Sequence, residues 1–194
     1  MSVRYEDLSP EIIEIAYRRG MFPVEHRGII LWQEPYERGI IPLDGFHISR
    51  SLAKTLRRGI FQVTYNQDFE GVMRGCADRP KTWITERFVR IYTAMHRLGK
   101  AHSVECWREG RLVGGTYGVA LGGAFMAESM FHYETNASKV ALAMLVQRLK
   151  ERGFVLLDTQ YLSPHLATMG AIEISRIEYM ERLKEALKLD CRFD

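Results

Sequence analysis

Apolar residues recur along this chain at two spacings, and the spacing changes from segment to segment. Ile12, Ile13, Ala16 and Tyr17 repeat at helical intervals. Ser9 before them can cap a helix, Pro10 suits its first position, and Gly20 stops it. Residues 21–46 hold Pro23, Gly28, Pro35, Gly39, Pro42 and Gly45. That density of breakers predicts loops and short extended pieces, with Ile29-Ile30-Leu31-Trp32 as a strand. A second helix is expected over about 49–58, closed by Gly59. FQVTYN (61–66) alternates and reads as a strand, 67–76 as a helix, Asp78-Arg79-Pro80 as a turn, and 85–98 as a helix closed by Gly99.

The second half changes character. SVECWR (103–108) and RLVGGTYGVA (111–120) flank Glu109-Gly110, a two-residue hairpin signal. Gly114, Gly115 and Gly118 fall inside a strand pattern and suggest a bulge or a close backbone approach. Gly122-Gly123 turns into AFMAESM (124–130), and a long helix runs from a capping Asn136 to Arg152. FVLLDTQ (154–160) is apolar on both faces, as a buried strand is. Short helical pieces follow, then an amphipathic helix over about 175–187. The strand–helix–strand unit from 124–130 to 154–160 predicts a parallel pair. The fold class is α+β, with a small N-terminal domain (1–58) and a main domain (59–194) meeting near Gly59.

Composition narrows the reading. The 194 residues are 46% hydrophobic and 26% charged, enough for a core without covalent staples. A net charge of +3 is too mild to prove a nucleic-acid partner, so that claim needs a local cluster. Cys76, Cys106 and Cys191 are odd in number and far apart, as reduced cytosolic thiols are. Six scattered histidines lack metal-binding spacing, and no serine sits in G-x-S-x-G. No apolar run of membrane-spanning length exists, and the opening segment is not signal-like. The expectation is a cytoplasmic protein with no cofactor and no membrane partner.

Ligands of crossover units collect at the carboxyl ends of the parallel strands. Glu128 lies there on one strand, Asp158 and Gln160 on the other. Asp158 and Gln160 are two apart and expected on one face. They read equally as a functional pair or as a solvated strand end. Arg50, Lys54, Arg57 and Arg58 share one face of the second helix, which could track phosphates or simply be solvated. Trp83 could stack on a base or serve as a core aromatic.

These stretches also carry a resemblance. LSPEIIEIAYRRGMFP (8–23), FHISRSL (46–52), TWIT (82–85), LGKAHSVECWREGRLVGGTYGVALG (98–122), ESMF (128–131), NASKVAL (136–142), LLDTQ (156–160) and HLATMGAIEISR (165–176) resemble the leucyl/phenylalanyl-tRNA-protein transferases. The resemblance implies an acetyltransferase-like (GNAT) mixed sheet with flanking helices. It implies transfer of Leu, Phe or Met from aminoacyl-tRNA to the α-amine of proteins beginning with Lys or Arg. This is N-end-rule tagging for degradation, needing neither ATP nor metal. By the family pattern Glu128, Asp158 and Gln160 line the reaction centre. An amide is a very poor base, so Gln160 is expected to orient the amine, with Asp158 fixing the amide's direction and Glu128 holding the donor's aminoacyl end or favouring the incoming cation. Trp83 lies near the terminal adenosine, and Arg50, Lys54, Arg57 and Arg58 contact tRNA. Thr116, Leu142, Leu145 and Leu157 form the aminoacyl pocket. A monomer is expected.

Three departures stand out. The chain begins inside the family's usual N-terminal domain, Val24 replaces an aromatic, and Thr116 replaces a common Met, which implies altered choice among Leu, Phe and Met. Competing readings are an acyl-CoA N-acetyltransferase, disfavoured by the glycine-free FHYETNASK, a cell-wall aminoacyl ligase, and a non-catalytic tRNA-binding relative.

Overall fold

The computed structural model describes residues 2–3 and 8–194. A short sheet near the N-terminus has the order β1-β3-β2, from β1 (Ser2–Val3), β2 (Phe22–His26) and β3 (Ile29–Gln33). Helix α1 (Pro10–Arg18) precedes β2, and the Ser9 hydroxyl accepts from the Ile12 amide as the capping pattern predicts. The large sheet has seven strands in the order β10-β4-β9-β8-β7-β6-β5. They are β4 (Glu37–Ile40), β5 (Gln62–Tyr65), β6 (Ala101–Arg108), β7 (Arg111–Leu121), β8 (Ala124–His132), β9 (Leu156–Gln160) and β10 (Ile172–Ser175). The pair β8–β9 is parallel and joined through α5 (Ala137–Glu151); the other pairs are antiparallel. The α+β reading and the crossover therefore hold.

Helices cover both faces of this sheet. One apolar cluster gathers α1, α3 (Phe69–Ala77), α4 (Glu86–Arg97) and α7 (Arg176–Ala186) over Tyr117, Val119 and Met126. The second gathers α2 (Arg50–Arg58) and α5 over Val104, Cys106, Phe125 and Leu157. Burying both faces explains why the successive Leu156 and Leu157 are both apolar: one lies in each cluster. The short α6 (Pro164–Ala167) follows β9.

Three elements differ from the expectations. Strand β4 forms inside the breaker-rich segment, because Gly39 lets the chain leaving β9 pass close. A Cβ there would meet the Tyr161 carbonyl carbon at 2.6 Å. Strand β10 forms where helical pieces were expected, through pairing with β4 rather than local propensity. Asn136 is not a capping side chain. It adopts φ 73° and its amide donates to the Thr55 hydroxyl instead.

Candidate active site

The site grows out of two irregularities. Between Tyr117 and Gly118 the β7–β8 register shifts: Tyr117 faces Ser129 and Gly118 faces Ala127. Glu128 is thus the extra residue of a β-bulge, a device that re-aims a side chain. Gly118 permits it, since a Cβ at that position would lie 2.3 Å from the Met126 carbonyl oxygen. The glycine pattern in this strand is accordingly one of bulge and close approach. The second irregularity ends β9. Pairing with β8 runs from Ala124/Leu156 to Met126/Asp158, and Gln160 then turns to φ 65°. Strict alternation stops there, so the expected shared face of Asp158 and Gln160 gives way to separate partners.

Glu128 and Gln160 meet across the open end of this parallel pair. The Gln160 amide Nε2 donates to Glu128 Oε1 at 2.9 Å. Tyr17 Oη donates to the same oxygen at 2.5 Å, and Tyr92 Oη lies 3.4 Å from Oε2 and 2.7 Å from Tyr17 Oη. The residue is 9% exposed. Burial pushes its carboxyl up to about 7, against the pull of the Tyr17 and Gln160 donors. Glu128 therefore exchanges a proton near neutral pH, while burial and the nearby Glu128 charge hold Tyr17 and Tyr92 well above the usual phenol range.

Asp158 is differently employed. It is fully buried and takes a two-pronged ion pair from Arg38, with Nε–Oδ1 2.9 Å and Nη2–Oδ2 2.6 Å. Tyr179 Oη donates to Oδ2 at 2.8 Å, and the Gln160 backbone amide to Oδ1 at 2.8 Å. Asp158 thus fixes the backbone of Gln160, whereas Glu128 orients the side-chain amide; the expectation that Asp158 directs the amide is corrected. Arg38 is itself 1% exposed, donates to the Gly20 carbonyl at 3.0 Å, and lies 4.6 Å and 4.5 Å from the Phe22 and Tyr179 ring centres. Breaking such a buried pair on one side costs about 3–5 kcal/mol.

A hollow of about 90 Å³ lies beside Glu128, lined among others by Thr116, Met130, Leu142, Thr159 and Leu166. This is several times the room one water molecule needs. The Thr116 hydroxyl donates to the Ser129 carbonyl at 3.0 Å, so its polar atom is satisfied within the sheet. Thr159 also lines the hollow, and its buried hydroxyl has no partner among the described residues. Leu145 and Leu157 do not line it; both are buried in the cluster beneath. Larger hollows elsewhere on the surface contain none of Glu128, Asp158 and Gln160.

Trp83 is half-buried and packs edge-on against Phe88, ring centres 5.3 Å apart. Arg50, Lys54, Arg57 and Arg58 are exposed along α2, and none forms an ion pair with a described residue. Val24 pairs with Leu31 in the small sheet. No group of three or more His, Cys, Asp or Glu side chains among the described residues could hold a metal. Among the described residues no helix is long and apolar enough to cross a membrane.

Sequence reasoning missed Arg38, Tyr92 and Tyr179. Tyr17 was visible only as an apolar helix position. The one available signal for Arg38 was a cation beside Gly39-Ile40, in a segment otherwise poor in pattern.

Known proteins similar to this chain cover most of its length. The pattern of the family described as "Leucyl/phenylalanyl-tRNA protein transferase" matches residues 40–184. The leucyl/phenylalanyl-tRNA–protein transferase of Ruegeria pomeroyi is 54% identical over 183 residues, 93% of this chain and 87% of that protein. The protein of the same name from Rubrobacter xylanophilus is 53% identical over 189 residues, 96% of this chain and 98% of that one. Among solved structures, L-PGS from Bacillus licheniformis is 16% identical with a TM-score of 0.47, covering 76% of this chain and 56% of that one. Identity above half over nearly the full length, together with the family pattern over residues 40–184, leads to one conclusion: this chain belongs to the leucyl/phenylalanyl-tRNA protein transferase family.

Proposed function

We propose that this protein transfers an amino acid of the Leu, Phe or Met class from aminoacyl-tRNA to the N-terminal α-amine of proteins beginning with Lys or Arg, marking them for degradation by the N-end rule. The observation that carries the reading is the Gln160–Glu128 hydrogen bond, set across the open end of β8–β9 beside an apolar hollow. The hollow takes the donor side chain, and Thr116 and Leu142 bound its size. Trp83 contacts the terminal adenosine, and Arg50, Lys54, Arg57 and Arg58 follow the tRNA backbone. The fold is acetyltransferase-like, with residues 1–58 as the tRNA-facing portion and 59–194 as the transferase portion. The protein acts as a cytoplasmic monomer without a cofactor.

The chemistry follows from what each group can do. An ester is already activated, so the acceptor needs only a free lone pair. An amide is a very poor base, and Gln160 Oε1 serves to accept a hydrogen bond from the incoming amine. Glu128 takes the proton that the acceptor ammonium releases. The amine then attacks the ester carbonyl, the carbon–oxygen bond to the ribose breaks, and the nitrogen's second proton passes to the ribose oxygen, which leaves as the free 3′ hydroxyl. Asp158 takes no proton; locked on Arg38, it holds Gln160 in place. Positioning of this kind supplies up to about 7–11 kcal/mol in favourable cases.

The test is transfer of labelled Leu, Phe and Met, in competition, from tRNA to peptides starting with Lys, Arg or Asp. Transfer to the Lys and Arg peptides is expected, with a donor order set by Thr116, at about 1–3 kcal/mol per methylene. Gln160→Ala is expected to lower turnover at least tenfold. Transfer to the Asp peptide alone, or an unaffected Gln160→Ala enzyme, would overturn the reading.

A further inference from the structure

Arg79 is placed in a way that the reaction centre does not explain. It sits in the turn after α3, where its backbone amide donates to the Ala77 carbonyl at 2.8 Å. The preceding Asp78 is anchored by the Tyr133 hydroxyl at 2.9 Å. From this fixed turn the guanidinium reaches β8 and donates to Ser129 Oγ at 2.6 Å. Ser129 follows the bulged Glu128 directly and lines the same hollow.

Arg79 has no carboxylate partner among the described residues, although its side chain is exposed. Other arginines of this region are neutralised: Arg74 lies against Glu70 and Glu86, and Arg108 against Glu134. An unpaired guanidinium, held beside the reacting end by a neutral hydroxyl, keeps donors free for an anion. A donor whose ester lies at Glu128 brings one such anion near. Its last phosphodiester is a single ribose away from the ester. Arginine suits that task, because its planar fork can meet two phosphate oxygens at once.

We propose that Arg79 binds the last phosphodiester of the tRNA donor and so sets the depth at which the aminoacyl ester enters the hollow. This rests on the proposed transfer function and adds a substrate-positioning residue to it. The contact is separate from the exposed stripe on α2, because Arg79 works at the reacting end.

The test compares two donors in the purified full chain: phenylalanyl-tRNA, and phenylalanyl-adenosine, which carries the ester and no phosphate. Arg79→Gln is expected to raise KM for phenylalanyl-tRNA about tenfold while kcat stays within twofold. The same variant is expected to leave KM for phenylalanyl-adenosine unchanged, and Arg79→Lys to recover part of the loss. The logarithmic salt dependence of KM for tRNA should weaken by about 0.7, the slope of one single-strand phosphate contact. An unchanged KM for tRNA, or an equal rise with both donors, overturns the proposal; the equal rise would mean that Arg79 only shapes the turn. Should Arg79→Gln fail to fold, the same two-donor comparison is made in Arg79→Lys, which keeps the charge, loses the planar fork and is expected to raise KM for tRNA alone. An Arg79→Lys enzyme that changes both donors alike, or neither, overturns the proposal too. Wild-type enzyme inactive with either donor would instead refute the transfer function, so the two failures are distinguishable.

Discussion

At the scale of single residues, Glu128 joins chemistry to stability. Its folded value of about 7 lies above the ordinary carboxyl value of about 4.3 in an unfolded chain. Between these two pH values the folded chain binds more protons than the unfolded one, so stability falls as pH rises, and the loss is complete above about 7. Glu128→Gln removes that loss. Relative to wild type, the variant should gain up to about 3 kcal/mol more at pH 8 than at pH 4, since one pKa unit corresponds to about 1.4 kcal/mol. Denaturant unfolding at both pH values measures this, and an equal difference at the two pH values would refute it. His102, which burial holds down at about 4, titrates in both proteins alike and cancels. In activity, kcat/KM of the wild type should rise through about pH 7, and that limb should vanish in Glu128→Gln. Glu128, Asp158 and Gln160 were legible as polar residues ending apolar strands. Arg38 was not, because its partner lies 120 positions away and no local pattern marks a buried cation.

At the scale of elements, the bulge in β8 decides where the carboxylate points. Gly118→Ala would set a methyl against the Met126 carbonyl oxygen. The chain must shift to admit it, at about 1–3 kcal/mol by analogy with overpacked cores. The shift falls on the strand that carries Glu128, so kcat should drop at least tenfold while KM for tRNA changes little. Thermal unfolding and steady-state transfer check both parts; full activity in a destabilised variant would separate the bulge from catalysis. The glycines of β7 announced a bulge in the sequence, but not which residue it would expel. That depends on pairing register, which two strands settle together. Asn136 failed as a cap for a similar reason: its amide met Thr55, a partner from a distant helix.

At the scale of the whole molecule, the sheet separates two apolar clusters, and Phe193 closes one of them. Its ring stacks on His102 at 4.5 Å and Phe125 at 5.6 Å, and its carbonyl accepts from Arg148 Nε at 2.8 Å. Phe193→Ala should therefore destabilise the protein by about 3–5 kcal/mol. Denaturant unfolding measures it, and a change below 1 kcal/mol would count against this packing role. Hairpins, the crossover and most helices were readable because local turns and periodicity produce them. Strands β4 and β10 were not, since each exists only through a neighbour remote in sequence.

That remote pairing orders events during synthesis. Arg38 leaves the ribosome long before Asp158, 120 positions behind it, which at roughly 5–20 residues per second is a lag of about 6–24 seconds. Throughout that interval the Arg38 guanidinium lacks the buried carboxylate it pairs with in the folded chain. A nascent chain halted before β9 would hold the basic helix and the strand that carries Glu128, yet lack both Asp158 and Gln160. The contact between Glu128 and Gln160 therefore closes only after β9 has emerged.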